Sequence, residues 1–195
     1  MPKRVIILID GGFLRVKAHK AGKTYNPDFI ELFAHKCIVQ DEEIFRVLYY
    51  DCTPYSGTVK LPVSGSPYTF GGSDKWLEEL ASKDQFAVRR GVLKFRGYKP
   101  KRTPVSPAGP PTDADFNPDF EQKGVDMRIG LDIATYSSNR AIDRIVLVTN
   151  DTDCVPAMKY GRKSGLQVII AEVPNGRAAI ELVMHSDFRR PVLWP

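Results

Sequence analysis

The stretch Arg144-Ile-Val-Leu-Val-Thr-Asn-Asp-Thr-Asp153 decides the fold. Residues 145–149 form a short apolar run, which reads as a strand buried on both faces of a parallel sheet. Asp151 and Asp153 follow at once. In open α/β sheets, ligands bind outside the C-terminal ends of the strands. Two carboxylates one residue apart at such a mouth repel each other. The stretch therefore reads as half of a divalent-metal site.

Working outward, a second strand of the same kind stands near the N-terminus, Val5-Ile-Ile-Leu-Ile-Asp10-Gly-Gly. It too ends in an acid, and a helix over residues 13–20 follows. Asp10 is also a good residue for capping that helix. A further strand, Ile44-Phe-Arg-Val-Leu-Tyr-Tyr50, ends in Asp51, after which Thr53-Pro54 turns the chain away. Helices are expected at 27–38, 73–83, 127–136, 155–163 and 177–185, with Ser164-Gly165 stopping the fourth. Strands are expected at 86–88, 91–95, 167–171 and 192–194. Strands alternating with helices predict an α/β fold, a three-layer α/β/α sandwich around a mostly parallel sheet.

A chain of 195 residues suits one domain with a full core, taken here as 1–195. Long loops are expected at about 54–72 and 96–122. The second carries Arg96, Tyr98, Lys99, Lys101 and Arg102, with six prolines that argue against regular structure. No apolar run approaches the roughly 20 residues that span a bilayer. The start, Met-Pro-Lys-Arg, enters a strand without the pattern of a signal peptide. A cytoplasmic location is the expectation. Cys37, Cys52 and Cys154 show no Cys-x-x-Cys spacing, so buried thiols are expected rather than a zinc site or disulfides. The net charge of +5 is compatible with a polyanionic partner.

If the strands ending in Asp10 and Asp151 are neighbours, their acids meet at one sheet edge. Asp126, after Lys123-Gly124 at a helix start, can join them. Several carboxylates there suit Mg²⁺ or Mn²⁺, hard cations that prefer oxygen ligands and retain waters. Such a site serves phosphodiester cleavage.

This ordered set resembles the NYN family of PIN-like domains, in particular its LabA-like branch. The matching segments are Val5-Ile-Ile-Leu-Ile-Asp10-Gly-Gly, Lys123-Gly-Val-Asp126 and Val148-Thr-Asn-Asp151-Thr-Asp153. The resemblance implies a PIN-like fold, metal-dependent RNA cleavage, and Asp10, Asp126, Asp151 and Asp153 as the catalytic, metal-holding acids. Many members carry an Asn a few residues after the first acid; Gly12, Phe13 and Leu14 stand there instead. Asp132, Lys123 and Asn150 form a second tier, with Asp132 also readable as a helix-surface acid pairing with Arg128.

RNA is the expected partner. Arg96, Lys99, Lys101 and Arg102 would follow its backbone and Tyr98 would stack on a base. His19, His35 and His185 read as surface or cap residues. The alternative is an inactive module that binds RNA or a protein; self-association is left open. A haloacid-dehalogenase-type phosphatase would need a second Asp where Gly12 stands, and a glycosyltransferase would need a longer chain.

Overall fold

The computed structural model describes every residue except 104 and 106–108. The elements, in chain order, are β1 (Lys3–Asp10), α1 (Gly11–Lys20), α2 (Pro27–Lys36), β2 (Glu42–Thr53), β3 (Gly57–Lys60), β4 (Pro67–Phe70), α3 (Lys75–Ala81) and β5 (Phe86–Pro100). They continue with β6 (Phe116–Lys123), α4 (Val125–Asn139), β7 (Arg144–Val148), α5 (Val155–Lys163), β8 (Gln167–Glu172), α6 (Ile180–Met184) and β9 (Phe188–Pro191). The chain forms two compact units. One holds Met1–Asp51, Lys75–Arg90 and Gly124–Pro195, and the other Cys52–Asp74 and Gly91–Lys123.

In the first unit the strand order is β5-β2-β1-β7-β8-β9. β2, β1, β7, β8 and β9 are joined by parallel ladders. β1 lies centrally, and its residues Val5, Ile6, Ile7, Leu8 and Ile9 are wholly buried. A strand covered on both faces needs apolar side chains at every position, which explains the uninterrupted run. Val5, Ile7 and Ile9 pack with Leu14 of α1, Phe29, Ile30 and Phe33 of α2, and Leu77 and Leu80 of α3. Behind β7, Ile145 approaches Gly161 of α5, which also lies against Ile133 of α4. Helices thus cover both faces, and the expected α/β/α sandwich with a mostly parallel sheet is what forms.

The registers set the functional edge. Asp10 pairs with Tyr50, and Ile9 with both Tyr49 and Val148. Asp10, Asp51 and Thr149 therefore stand at about one level of the sheet. At the start of α1, a Cβ on Gly11 would stand 2.3 Å from the Tyr49 hydroxyl. Tyr49 is wholly buried and its hydroxyl is hydrogen-bonded, so it has nowhere to go. Gly11→Ala is expected to destabilise the protein by about 1–3 kcal/mol through overpacking, despite the better helix propensity of alanine. Chemical denaturation measures this directly, and an unchanged midpoint would contradict the close approach.

In the second unit two expectations give way. Residues 54–72 are not a plain loop: β3 and β4 form an antiparallel hairpin in which Thr58 and Thr69 share a hydroxyl hydrogen bond of 2.9 Å. Residues 96–122 are not one exposed loop either. β5 runs on to Pro100, and β6 returns antiparallel to it, placing Phe95 opposite Phe120 and Pro100 opposite Phe116. Pro118 is tolerated because β6 ends the strand order and needs no outer ladder. Tyr55, Phe70, Phe95 and Phe120 pack ring against ring. This cluster, rather than local propensity, holds the two hairpins. Of the six prolines, Pro104 and Pro107 lie outside the described residues.

Smaller corrections concern boundaries. The strand pair expected at 86–95 is the single strand β5, α4 runs over Val125–Asn139 rather than 127–136, and α6 is confined to Ile180–Met184. The last strand is Phe188–Pro191, not 192–194, because its anchor is charged. Arg190 reaches Glu42, which also pairs with Arg144, at 2.7 and 2.6 Å. All three cysteines are buried and free, and among the described residues no helix is long and apolar enough to cross a membrane.

Candidate metal centre

Asp10 closes β1 and caps α1. Its Oδ1 accepts from the Phe13 N–H at 3.0 Å, and its Oδ2 accepts from the Thr149 hydroxyl at 3.1 Å. Thr149 in turn accepts from the Asp151 N–H at 3.1 Å. Asp151 caps the 3-10 turn Thr152–Cys154, its Oδ1 accepting from the Asp153 N–H at 2.9 Å. One relay of hydrogen bonds thus ties the ends of β1 and β7 and orients two acids. The capping reading of Asp10 and its site reading hold together: the cap fixes the carboxylate at the edge.

Asp126 lies in the first turn of α4, exposed, after Gly124 takes a left-handed φ of 79°. Removal from water raises its pKa first, followed by the charges of Asp151 and Asp153. Asp10 is likewise raised, chiefly by burial and further by Asp126 and Asp51, although its two hydrogen bonds oppose this. The buried Cys154 thiol reports the whole group. Burial pushes it up to about 12, helped by the negative charges of Asp151, Asp126, Asp10 and Asp153. The four acids thus lie within electrostatic reach of the Cys154 thiol at this edge.

Nearby acids are treated differently. Asp51 is buried and paired with Arg15 at 2.5 Å, and it accepts from the Tyr49 hydroxyl at 3.2 Å. Asp132 accepts from Arg89 Nε at 3.0 Å and from the Tyr50 hydroxyl at 2.8 Å. The expected Asp132–Arg128 pairing is replaced by this one, and Arg128 instead donates to the Gly124 carbonyl at 2.9 Å. Among the described residues, no lysine or arginine pairs with Asp10, Asp126, Asp151 or Asp153. The edge therefore offers these four acids no pairing cation among the described residues. An all-oxygen, anionic donor set fits a hard divalent cation. Among the described residues no three His, Cys, Asp or Glu side chains stand close enough together to hold an ion by themselves. The fit is therefore that of a cation held by fewer direct carboxylates, with water completing its shell.

The raised pKa of Asp126 has a stability consequence. The folded state binds that proton more tightly than the unfolded chain, so stability falls as pH rises from the unfolded pKa through the folded one. At pH 7, without divalent ions, Asp126→Asn is expected to raise Tm by about 1–2 °C. The gain should shrink as the pH falls toward about 4. A variant that melts below the wild type at pH 7 would contradict this repulsion.

The other sequence candidates are dispersed. Asn150 accepts from the Ala179 N–H at 2.8 Å and serves the loop before α6. Lys123 pairs with Glu121 at 3.3 Å. In the second unit, Arg96 pairs with Glu121, Lys99 with Asp119 and Arg102 with Asp115. Lys101 donates its backbone N–H to Asp115. Tyr98 leans on Phe95, with its hydroxyl buried and without a partner among the described residues. These cations are largely answered by acids of the same hairpin. Sequence reasoning passed over the chain from Tyr25 through Tyr49 and Asp51 to Arg15, because its members are far apart in sequence. Its one visible signal was a third acid at a strand end, Asp51.

Against known families, the NYN domain matches residues 74–189. The chain belongs to the NYN family. This is a PIN-like, nuclease-type family whose nucleases are generally dependent on divalent metals. In this NYN protein Asp126, Asp151 and Asp153 fall inside the matched residues, while Asp10 precedes them and joins by geometry. The crystal structure of a protein of unknown function from Vibrio parahaemolyticus RIMD 2210633 is similar, with a TM-score of 0.54 and 14% identity over 97% of this chain and 92% of that one. At this identity the likeness is one of fold. No curated protein matches the chain.

Proposed function

We propose that this NYN protein is an Mg²⁺- or Mn²⁺-dependent ribonuclease of the LabA-like branch, with its site at the C-terminal edge of β1 and β7. The observation that carries the reading is the contrast between acids. Asp51 and Asp132 each have an arginine, whereas the four acids around Cys154 have none. Carboxylates left in mutual repulsion are costly unless a cation completes them. Asp10, Asp126, Asp151 and Asp153 would hold it, directly or through water. When bound, such an ion activates water and offsets charge on a phosphodiester under in-line attack.

The chain's own residues supply the rest. The Phe13 N–H and Thr149 hydroxyl keep Asp10 oriented, and the 3-10 turn keeps Asp151 oriented, so little reorganisation is needed during reaction. Asp51, neutralised by Arg15, supports the strand ends from beneath. The test is incubation of the purified chain with end-labelled single-stranded and structured RNA in Mg²⁺, Mn²⁺ or EDTA. Cleavage only with a divalent ion is expected. RNA binding without cleavage under either metal would favour the inactive binding module.

A further inference from the structure

A recess opens beside α1. Arg15, His19, Tyr25, Asn26, Pro27 and Trp76 line a space of about 270 Å³. This lies just below the roughly 300–1,000 Å³ of clefts that enclose whole small molecules, so it suits one base rather than a dinucleotide. Its walls combine two chemistries. Tyr25 packs edge-on against His19 and Trp76, with centroids 6.0 and 6.4 Å apart. Arg15 is one-third exposed although its guanidinium also holds Asp51.

Two observations place this recess beside the acids. Arg15 and His19 lie on the helix that Asp10 caps, and the Tyr25 hydroxyl is 3.4 Å from the carbonyl of Gly11, the next residue. The helix itself is basic, with Lys17 and Lys20 lining a separate space beside Ala21, Pro174 and Asn175. From Asp10 to Asp28 the chain carries Arg15, Lys17, Lys20 and Lys23 and no acid between. Among the described residues, Lys17 and Lys20 have no acidic partner, in contrast to the paired cations of β5.

We infer that this recess is a nucleotide subsite: it takes the base of a nucleotide flanking the scissile phosphate against its aromatic walls, while Lys20, farther along the same helix, meets the RNA backbone. The inference rests on the ribonuclease reading for its role, but binding is measurable without cleavage. Aromatic walls accept any base by its π-face, and a lysine without an acidic partner, such as Lys20, gives salt-dependent attraction to phosphates. The RNA path therefore follows α1 rather than the β5–β6 hairpin.

Trp76 is itself the reporter. In the 195-residue chain carrying Trp194→Phe it is the only tryptophan. Adenosine 5′-monophosphate and uridine 5′-monophosphate, added in EDTA, are expected to quench its fluorescence, and inorganic phosphate is not. His19→Ala should weaken nucleotide binding about 5-fold or more. Lys20→Ala should reduce the salt slope for a short single-stranded RNA by about 1. Lys163→Ala, on α5, should change neither. No quenching at millimolar nucleotide, or equal losses in the His19 and Lys163 variants, would overturn the subsite. Wild-type cleavage, run in parallel, separates the two claims. Nucleotide binding without cleavage would leave the subsite standing and remove the nuclease. Cleavage with an unquenched Trp76 would do the reverse.

Discussion

Glu42→Ala is expected to destabilise the protein by about 3–5 kcal/mol, the usual effect of removing one partner from a buried ion pair. The Glu42 side chain is wholly buried, and the side chains of Arg144 and Arg190 are 11% and 14% exposed. Glu42 accepts from both arginines at 2.6–2.8 Å and from the Val39 N–H at 3.0 Å. Its loss leaves Arg190 without its acid, leaves Arg144 only the longer pair with Asp41 at 3.5 Å, and unties β9 from β2. For a chain of this size the corresponding fall in Tm is roughly 6–20 °C.

Burial alone would raise the pKa of Glu42. The bonds from Arg190, Arg144 and Val39 outweigh it and leave the group below its ordinary value of 4.5. The stabilisation is therefore fully present above that value and is lost as pH falls through the lower folded pKa. Glu42→Gln should accordingly differ from wild type by a constant amount above about pH 5, with the gap closing in acid. A gap that persists unchanged into acid would show that shape, not charge, is what Glu42 contributes. Glu42 pairs with Lys3 at the opposite end of β1 from Asp10, so folded Glu42→Gln should keep its activity.

The second large effect lies at the other edge. Asp151→Asn keeps the amide oxygen that caps the 3-10 turn but removes a charge from the group around Cys154. It should lower RNA cleavage about 10³-fold, an effect of about 4 kcal/mol on the barrier. Asp10→Asn should lose a similar amount while still capping α1. Both variants should remain folded, and neither should melt much below wild type, because each relieves repulsion. Variants that lose activity only by unfolding would turn the acids into structural caps.

The legible parts of the molecule were those governed by burial on both faces. β1, β7 and β8 announce themselves as apolar runs because nothing else fits the centre of a parallel sheet. The acids at their ends were legible for the same reason, since the strand end fixes where they emerge. β9 was misplaced because its security comes from Arg190 and a glutamate 148 residues away, an interaction with no hydropathic trace. The hairpins of the second unit were hidden by proline and glycine, and only the meeting of Tyr55, Phe70, Phe95 and Phe120 makes them strands. The basic residues of α1 were unremarkable in sequence, since cations in a last helical turn commonly answer the helix dipole. Tyr25, just before α2, and Trp76 of α3 come together with His19 of that helix only in the folded chain.

The most direct measurement is the initial rate of cleavage of an end-labelled single-stranded RNA by the full chain and by Asp151→Asn, each in Mn²⁺, in Mg²⁺ and in EDTA. A metal-dependent ribonuclease predicts cleavage by the wild type with a divalent ion, none in EDTA, and a loss of about 10³-fold in the variant. Equal rates in wild type and variant, cleavage that survives EDTA, or an intact substrate under both metals would contradict it.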